Sequence, residues 1–228
     1  IEKKPLRRFH PGSKILSMGS FGCNLRCPFC QTYEISMSGE KELETAELSP
    51  EALADKALEL RLYGNIGVAY TYNEPLVGYE YVRDCASLVH ERGMVNVLVT
   101  NGTIKEAPWR TLVPLIDAVN IDLKGFTPEW YQRLGGNLEA VKSSISLAAE
   151  RCHVEVTTLL VPGENDSAEE VTALAQWLAS VDRDIPLHLS RFFPRYRMMD
   201  KLSTPVERVY RLADVAREYL SFVYTGNC

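Results

Sequence analysis

Three cysteines lie within eight residues near the start of the chain. They are Cys23, Cys27 and Cys30, spaced C-x3-C-x2-C on a segment that also contains glycine and proline. Thiolates are soft ligands, and three of them on one flexible loop can converge on a metal centre. A structural zinc site needs a fourth protein ligand, and no histidine lies near enough in sequence to be an obvious one. A cubane iron–sulfur cluster held by three cysteines instead leaves one iron open to an external ligand.

Two other interpretations of these cysteines stay open at the level of the residues. Buried cysteines often serve only as small apolar side chains. A zinc site can also take its fourth ligand from a distant part of the chain. The remaining cysteines are scattered, and we expect Cys85 in the core and Cys152 in a structural position. Cys228, the last residue, has two interpretations, a free thiol or the start of a metal-binding tail.

Polar side chains recur at the carboxyl ends of the predicted strands. They are Asn73 and Glu74 after the second strand, Thr100 on the third, Asp122 and Lys124 at the end of the fourth, and Arg191 on the sixth. In parallel α/β architectures ligands bind at this edge of the sheet, so we predict that these side chains meet in one site. These side chains also have interpretations without a function. Glu74 can be an ordinary solvated carboxylate, and Asp122 and Lys124 can be an ion pair on the surface. Thr100 can simply cap a turn.

The sixth strand presents a choice between its two faces. His188 and Arg191 are three residues apart, so they face opposite sides of the strand. We expect Arg191 to line the barrel because it lies nearer the carboxyl end, where it can bind an anionic substrate or a carboxylate of a cofactor.

The elements that must position these residues alternate along the chain. The predicted strands cover residues 14–19, 66–72, 95–100, 118–123, 153–161, 186–192 and 222–224, with helical stretches between them. Such alternation indicates an α/β protein with a parallel sheet and helices outside it, and right-handed crossovers curl the sheet. Six βα units are too few for a closed eight-stranded barrel. We therefore predict a partial, open (β/α)6 barrel in a single domain over residues 1–228.

Composition limits the classes of function. The 228 residues are 46% hydrophobic and 24% charged, with a net charge of −5, which is ordinary for a globular protein and unlike a basic nucleic-acid-binding domain. No apolar window of about 18 residues predicts a membrane span, and the basic first residues lack the apolar stretch of a secretory signal. Few, scattered cysteines outside the trio argue against a disulfide framework, so we expect a cytoplasmic protein.

The cysteine segment, with aromatic Phe29 directly before Cys30, resembles the signature of the radical SAM superfamily. The resemblance implies two cofactors, a [4Fe–4S] cluster and S-adenosyl-L-methionine, whose amino and carboxylate groups chelate the open iron. It also implies a reducing donor of the flavodoxin or ferredoxin type. The cluster then supplies the electron that cleaves the sulfonium and releases a 5′-deoxyadenosyl radical.

Further segments carry the same resemblance. Residues 71–75 are similar to the segment that binds the amino group of the cofactor, with Tyr72 and Asn73 in place of two glycines and Glu74 retained. Residues 100–102 and 122–124 resemble segments of the pyruvate formate-lyase activating enzyme group. There they contact the ribose and carboxylate of the cofactor or a nearby cation. Val161 begins a similar segment that lies near the adenine in that group.

Nearly the whole chain resembles the radical SAM member of the AmmeMemoRadiSam group, although Gln31–Thr32–Tyr33 departs from the more usual Gln-Asn-aromatic. We therefore expect an enzyme that abstracts hydrogen from a substrate the sequence does not identify. Activation of a glycyl radical enzyme, with a protein as substrate, is the alternative. An iron–sulfur module for electron transfer or assembly is the non-enzymatic alternative.

Overall fold

Seven parallel strands form one open sheet in the structure, a computed structural model that describes residues 6–228. Each strand pairs with the next one along the chain, so β1 and β7 are the two edges. This confirms the predicted partial barrel. The strands are β1 (Lys14–Met18), β2 (Asn65–Tyr70), β3 (Val95–Thr100), β4 (Ala118–Asp122), β5 (His153–Leu160), β6 (Leu187–Arg191) and β7 (Val223–Gly226).

The central strands are buried along most of their length because the sheet is covered on both faces. In β4, every residue from Ala118 to Ile121 is buried, and only Asp122 at the carboxyl end is partly exposed. Strands that are buried on both sides read as continuous apolar runs rather than as alternating ones. Asn120, the polar side chain within this run, is itself buried, and the first partly exposed side chain is Asp122 at the carboxyl end, where the site lies.

Eight helices connect the strands within the described residues. They are α1 (Tyr33–Ser36), α2 (Pro50–Glu59), α3 (Tyr79–Glu91), α4 (Glu106–Leu112), α5 (Pro128–Leu134), α6 (Leu138–Ala149), α7 (Ala168–Asp182) and α8 (Val206–Arg217). Residue types explain the start of α2, because the hydroxyl of Ser49 accepts a hydrogen bond from the amide of Ala52 and proline follows Ser49. The single turn α1, directly after the cysteines, was not predicted. Over residues 6–228 no helix is long and apolar enough to cross a bilayer.

A buried carboxylate closes the amino-terminal end of the barrel. Glu155 on β5 receives hydrogen bonds from the rings of His153 (2.9 Å) and His188 (2.5 Å) and from the backbone amides of Arg7 (2.9 Å) and Arg8 (2.7 Å). Burial raises the pKa of Glu155, but these four hydrogen bonds outweigh it and lower the pKa to about 2. The carboxylate thus ties the first described residues to the base of the sheet.

Candidate active site

A cavity of about 340 Å³ opens at the carboxyl edge of the sheet. Every site residue predicted from the sequence lines it except Val161 and Arg191. The lining therefore includes Cys23, Cys27, Phe29, Cys30, Asn73, Glu74, Thr100, Asp122 and Lys124. The parallel topology brings these side chains together because the carboxyl ends of β2, β3 and β4 lie side by side and the cysteine loop follows β1.

The cysteine loop holds its thiols in a largely dry environment. Cys27 is buried, and burial raises the pKa of its thiol to about 12; burial also raises the pKa of Cys23. The sulfur of Cys23 accepts hydrogen bonds from the backbone amide of Leu25 (3.3 Å) and from the side-chain amide of Asn101 (3.7 Å). Donors directed at a ligating sulfur are among the features that set the potential of an iron–sulfur cluster. A bound metal would supply the positive charge that deprotonates such thiols.

The three thiols fit a cluster better than a single ion. Among residues 6–228, no three His, Cys, Asp or Glu side chains are grouped closely enough to hold one metal ion. In a [4Fe–4S] cluster each cysteine binds a different iron, so the sulfurs need to line one cavity without converging on one point. Cys23, Cys27 and Cys30 do line one cavity. The donor set and its placement therefore fit the cluster.

An apolar cluster supports the cysteine loop from behind. The ring of Phe29 stacks on Trp130 with 5.8 Å between ring centroids. The amide of Arg26 donates to the carbonyl of Leu134 (2.8 Å), which attaches the loop to the end of α5. Val161 is fully buried in the same apolar cluster and does not line the cavity. The structure therefore places Val161 beneath the loop.

Three hydrogen bonds hold the carboxylate of Glu74 in place. One carboxylate oxygen accepts from the hydroxyl of Thr100 (2.6 Å) and the amide of Leu76 (3.0 Å), and the other accepts from the amide of Asn101 (2.7 Å). Burial raises the pKa of Glu74, and the hydrogen bonds oppose that rise. A positively charged group in the cavity would complete the stabilisation of the ionised form.

Asn73 lines the cavity, but its amide binds the backbone of the segment that leads to the cysteines. Its oxygen accepts from the amide of Ser20 (3.0 Å), and its nitrogen donates to the carbonyls of Phe21 and Gly22, both at 3.1 Å. These bonds fix the start of the cysteine loop against the end of β2. The amide of Asn73 therefore orients that loop.

Lys124 and Asp122 form an ion pair on the wall of the cavity, with 2.7 Å between Nζ and Oδ2. Burial alone would lower the pKa of Lys124, but the attraction of the Asp122 carboxylate outweighs it and the pKa is raised. The ionised form of Lys124 is therefore favoured on the wall of the cavity. It can bind an anion while Asp122 holds it in place.

The far wall of the cavity is polar but uncharged. Thr157, Leu159 and Ser190 line it from β5 and β6, together with Asn227 after β7. The hydroxyl of Thr157 is buried and has no hydrogen-bond partner among the described residues. We did not predict these side chains as site residues. In the sequence, they could have been found only from the way that side chains alternate between the inner and outer faces along β5 and β6.

Arg191 lies on the other face of β6 from Ser190. Its guanidinium donates to the carbonyl of Thr204 (2.7 Å) and lies 4.7 Å from the ring of Phe193. The interior face of the strand carries His188, which binds Glu155, and Ser190, which lines the cavity. The side chain expected to face the barrel thus lies outside the cavity. The alternation of side chains along β6 therefore predicts which of them faces the cavity better than the position of Arg191 near the carboxyl end of the strand does.

An open parallel barrel with a cysteine trio at its carboxyl edge is typical of one superfamily, and the chain belongs to it. The model of the Radical SAM superfamily matches residues 18–178. An uncharacterized protein of Methanocaldococcus jannaschii, MJ0808, is 37% identical over 230 residues, which cover all of this chain and 68% of that protein. The pyruvate formate-lyase 1-activating enzyme of Escherichia coli is 25% identical over 181 residues, covering 76% of this chain and 72% of that enzyme.

The fold is shared with solved structures at lower identity. Streptococcus suis SuiB, in its structure bound to S-adenosylmethionine, superposes with a TM-score of 0.71 at 15% identity. The match covers 95% of this chain and 51% of SuiB. At this identity the likeness shows the fold alone.

Proposed function

We propose that this chain is a radical enzyme that binds a [4Fe–4S] cluster through Cys23, Cys27 and Cys30 and binds S-adenosyl-L-methionine beside it. One observation supports the proposal above the others. Three thiols, a buried carboxylate and a partly buried ammonium line the same cavity. A structural metal site or an electron carrier has no need of the two opposite charges next to the cysteines.

The two charges suit the two ends of an amino acid. Glu74, held by three donors, would bind the ammonium of S-adenosyl-L-methionine, and Lys124 would bind its carboxylate. Thr100 and Asn101 act through Glu74 and keep its oxygens in place. When bound, the cluster and S-adenosyl-L-methionine together supply a 5′-deoxyadenosyl radical, which abstracts a hydrogen atom from the substrate.

The apolar part of the lining protects such chemistry. Leu25, Phe29, Val99 and Leu159 face the cavity between the polar groups. A site that excludes water limits side reactions of a reactive intermediate. Phe29, stacked on Trp130, therefore contributes to the cofactor pocket as a wall rather than as a hydrogen-bonding partner.

A second candidate function is activation of a glycyl radical enzyme by hydrogen abstraction from its backbone. It is favoured by the 25% identity to the pyruvate formate-lyase 1-activating enzyme over 76% of this chain. The uncharged far wall, with Thr157 and Ser190, is compatible with a neutral polypeptide segment as substrate. A reducing carrier of the flavodoxin or ferredoxin type would supply the electron in either case.

The deciding experiment is anaerobic reconstitution of the cluster, reduction with dithionite and addition of S-adenosyl-L-methionine. We expect 5′-deoxyadenosine and methionine as products. The variant Cys27→Ala should bind less iron and form neither product, whereas Cys85→Ala, which removes a buried cysteine of α3, should keep both iron and activity. Iron binding without any cleavage would favour the electron-transfer module, and binding of zinc in place of iron would refute the proposal.

A further inference from the structure

We infer that the loop between β6 and α8 is the docking surface for an acidic protein that carries single electrons. The inference rests on the proposed function, because it concerns how an electron reaches the cluster. The surface consists of Arg195, Tyr196 and Arg197 with the exposed side chains Met199 and Leu202, and it adjoins Tyr33, which follows the cysteines. We call it the arginine face.

Three side chains of the arginine face form a layered stack with Tyr33. Tyr196 stacks on Tyr33 with 4.6 Å between centroids, and the planes of the rings differ by 16°. The guanidinium of Arg195 lies 5.6 Å from the ring of Tyr33, and that of Arg197 lies 5.0 Å from the ring of Tyr196. Stacking on aromatic rings orients the guanidinium groups without neutralising them. The arginines are therefore held ready for an external partner.

These charges have no carboxylate partner in the described part of the chain. No ion pair joins Arg26, Arg195 or Arg197 to an acidic side chain within residues 6–228, whereas Arg83, Arg92, Arg110 and Arg133 each have one. The segments 20–36 and 192–203 contain three arginines and Lys201 against Glu34 and Asp200. Lys201 pairs with Glu164, which leaves the three arginines as unpaired cations among the described residues, in a chain whose net charge is −5. The arginine face is thus positive on an acidic protein, and an acidic partner complements it.

The face also has the composition of a protein interface. Met199 and Leu202 expose 67% and 84% of their surface, and Phe193 nearby exposes 43%. Arginine, aromatic residues and methionine are the residues enriched where proteins meet. Neighbouring exposed apolar side chains of this kind typically mark a binding site.

The position of the face favours an electron carrier over a substrate. The amide of Arg197 donates to the carbonyl of Pro28 (2.9 Å), so the loop rests directly on the cysteine segment beside Cys27. Of the residues that the structure describes, none from 192 to 204 lines the cavity. A protein bound to the arginine face therefore lies close to the cysteines and leaves the cavity free for the cofactor and substrate.

The step itself is a transfer of one electron. The carrier is oxidised by one electron, and the cluster held by Cys23, Cys27 and Cys30 is reduced by it. No bond of the protein forms or breaks. Complementary charge would raise the rate of encounter and orient the carrier towards Pro28.

The test measures binding separately from chemistry. The probe is an oxidised flavodoxin of strongly negative net charge, and its Kd for the reconstituted protein is measured by titration calorimetry at low and high salt. We expect Arg195→Glu/Arg197→Glu to weaken binding about tenfold or more at low salt, and the wild-type affinity to fall as salt rises. The matched control is Arg83→Glu/Arg110→Glu, which makes the same change of charge on α3 and α4.

Cleavage of S-adenosyl-L-methionine is then followed with two reductants. With dithionite the Arg195→Glu/Arg197→Glu variant should match the wild type, and with reduced flavodoxin it should be slower by about the factor lost in binding. An unchanged Kd, or an equal loss in the control variant, would overturn the inference. An equal loss with dithionite would do so too, because the arginines would then serve the reaction itself. If the wild type cleaves nothing with dithionite, the proposed function fails, and the binding measurement still decides the docking surface.

Discussion

The hydroxyl of Thr100 donates a hydrogen bond of 2.6 Å to a carboxylate oxygen of Glu74, which joins the end of β3 to the segment after β2. This bond is one of three that hold the carboxylate in a buried position. Because burial raises the pKa of Glu74, each donor that stabilises the ionised form affects how much of it carries a charge near neutral pH.

The variant Thr100→Val should therefore bind S-adenosyl-L-methionine more weakly, by about five- to tenfold near pH 7, as expected for loss of one hydrogen bond to a charged group. In this variant the pKa of Glu74 should be raised further than in the wild type. The ionised fraction of Glu74, and with it the affinity for S-adenosyl-L-methionine, should therefore recover as the pH rises. Binding titrations from about pH 6 to about pH 9 measure both effects. The control Thr111→Val changes an exposed threonine of α4; equal loss of affinity in it would contradict the prediction.

Removal of the Lys124 ammonium should weaken the binding of S-adenosyl-L-methionine more than the loss of the Thr100 hydroxyl does. Lys124→Met deletes the positive charge and leaves Asp122 without its partner at 2.7 Å. We expect the affinity for S-adenosyl-L-methionine to fall about 30-fold or more, because a carboxylate of the ligand would then face Asp122 alone. Equilibrium binding to the reconstituted protein measures it.

Lys142→Met provides a matched control for that variant. Lys142 pairs with Glu139 on α6, away from the cavity. Its loss should leave the affinity within about twofold of the wild type, since neither Lys142 nor Glu139 lines the cavity. Unaltered binding by Lys124→Met would mean that the carboxylate of the cofactor is bound elsewhere.

Two neighbouring threonines of β5 should differ in their effect on stability. The hydroxyl of Thr158 is buried and donates to the carbonyl of Leu123 (2.8 Å), whereas the buried hydroxyl of Thr157 has no partner in the described residues. Thr158→Val should lower the free energy of unfolding by about 1–3 kcal/mol because it leaves a buried carbonyl unpaired. Thr157→Val should be neutral or slightly stabilising.

Urea unfolding of the two valine variants compares them directly. If Thr157 provides a hydrogen bond to the substrate rather than to the protein, its valine variant should also retain cleavage of S-adenosyl-L-methionine. A loss of stability in Thr157→Val equal to that in Thr158→Val would show that its hydroxyl is satisfied within the protein.

Glu155 should make stability depend on pH at the acid end. Folding lowers its pKa from 4.5 to about 2, so its contribution is present above about pH 4.5 and is lost as the pH falls towards 2. Glu155→Gln should reduce the free energy of unfolding by roughly 3 kcal/mol at pH 7, and the difference from the wild type should shrink below about pH 4.5. Urea unfolding at several pH values measures this.

The exposed Glu129 of α5 provides the comparison for that experiment. Glu129→Gln should leave stability at every pH within about 0.5 kcal/mol of the wild type. A constant difference between Glu155→Gln and the wild type down to pH 2 would contradict the role assigned to the hydrogen bonds from His153 and His188.

Several parts of the site could be predicted because they depend on local sequence. The spacing of Cys23, Cys27 and Cys30 places three thiols on one short loop whatever the fold. The apolar runs that end in Glu74, Thr100 and Asp122 mark strand ends, and parallel strands bring those ends to one edge. The predicted boundaries of the strands are within about two residues of those observed.

Other parts depend on packing that local pattern does not contain. Arg191 and Ser190 are adjacent, and only the pairing of β6 with β5 decides that the serine faces the cavity. The sequence predicts Asn73 as a cofactor-binding residue. In the structure, its amide binds the backbone of residues 20–22, which lie about 50 positions earlier in the chain. Val161 follows a strand end as the others do, but packs beneath the cysteine loop.

The amino-acid sequence by itself determined the order of the strands and helices, the three cysteines of one short loop and the charged residues that accompany them. These follow from residue type, spacing and the periodicity of apolar side chains, which are local properties. Only the tertiary structure decided which face of β6 points inward, that Asn101 contacts the sulfur of Cys23, and that the loop bearing Arg197 rests on Pro28. Those contacts join residues far apart in the chain, and their formation depends on the register and curvature of the whole sheet.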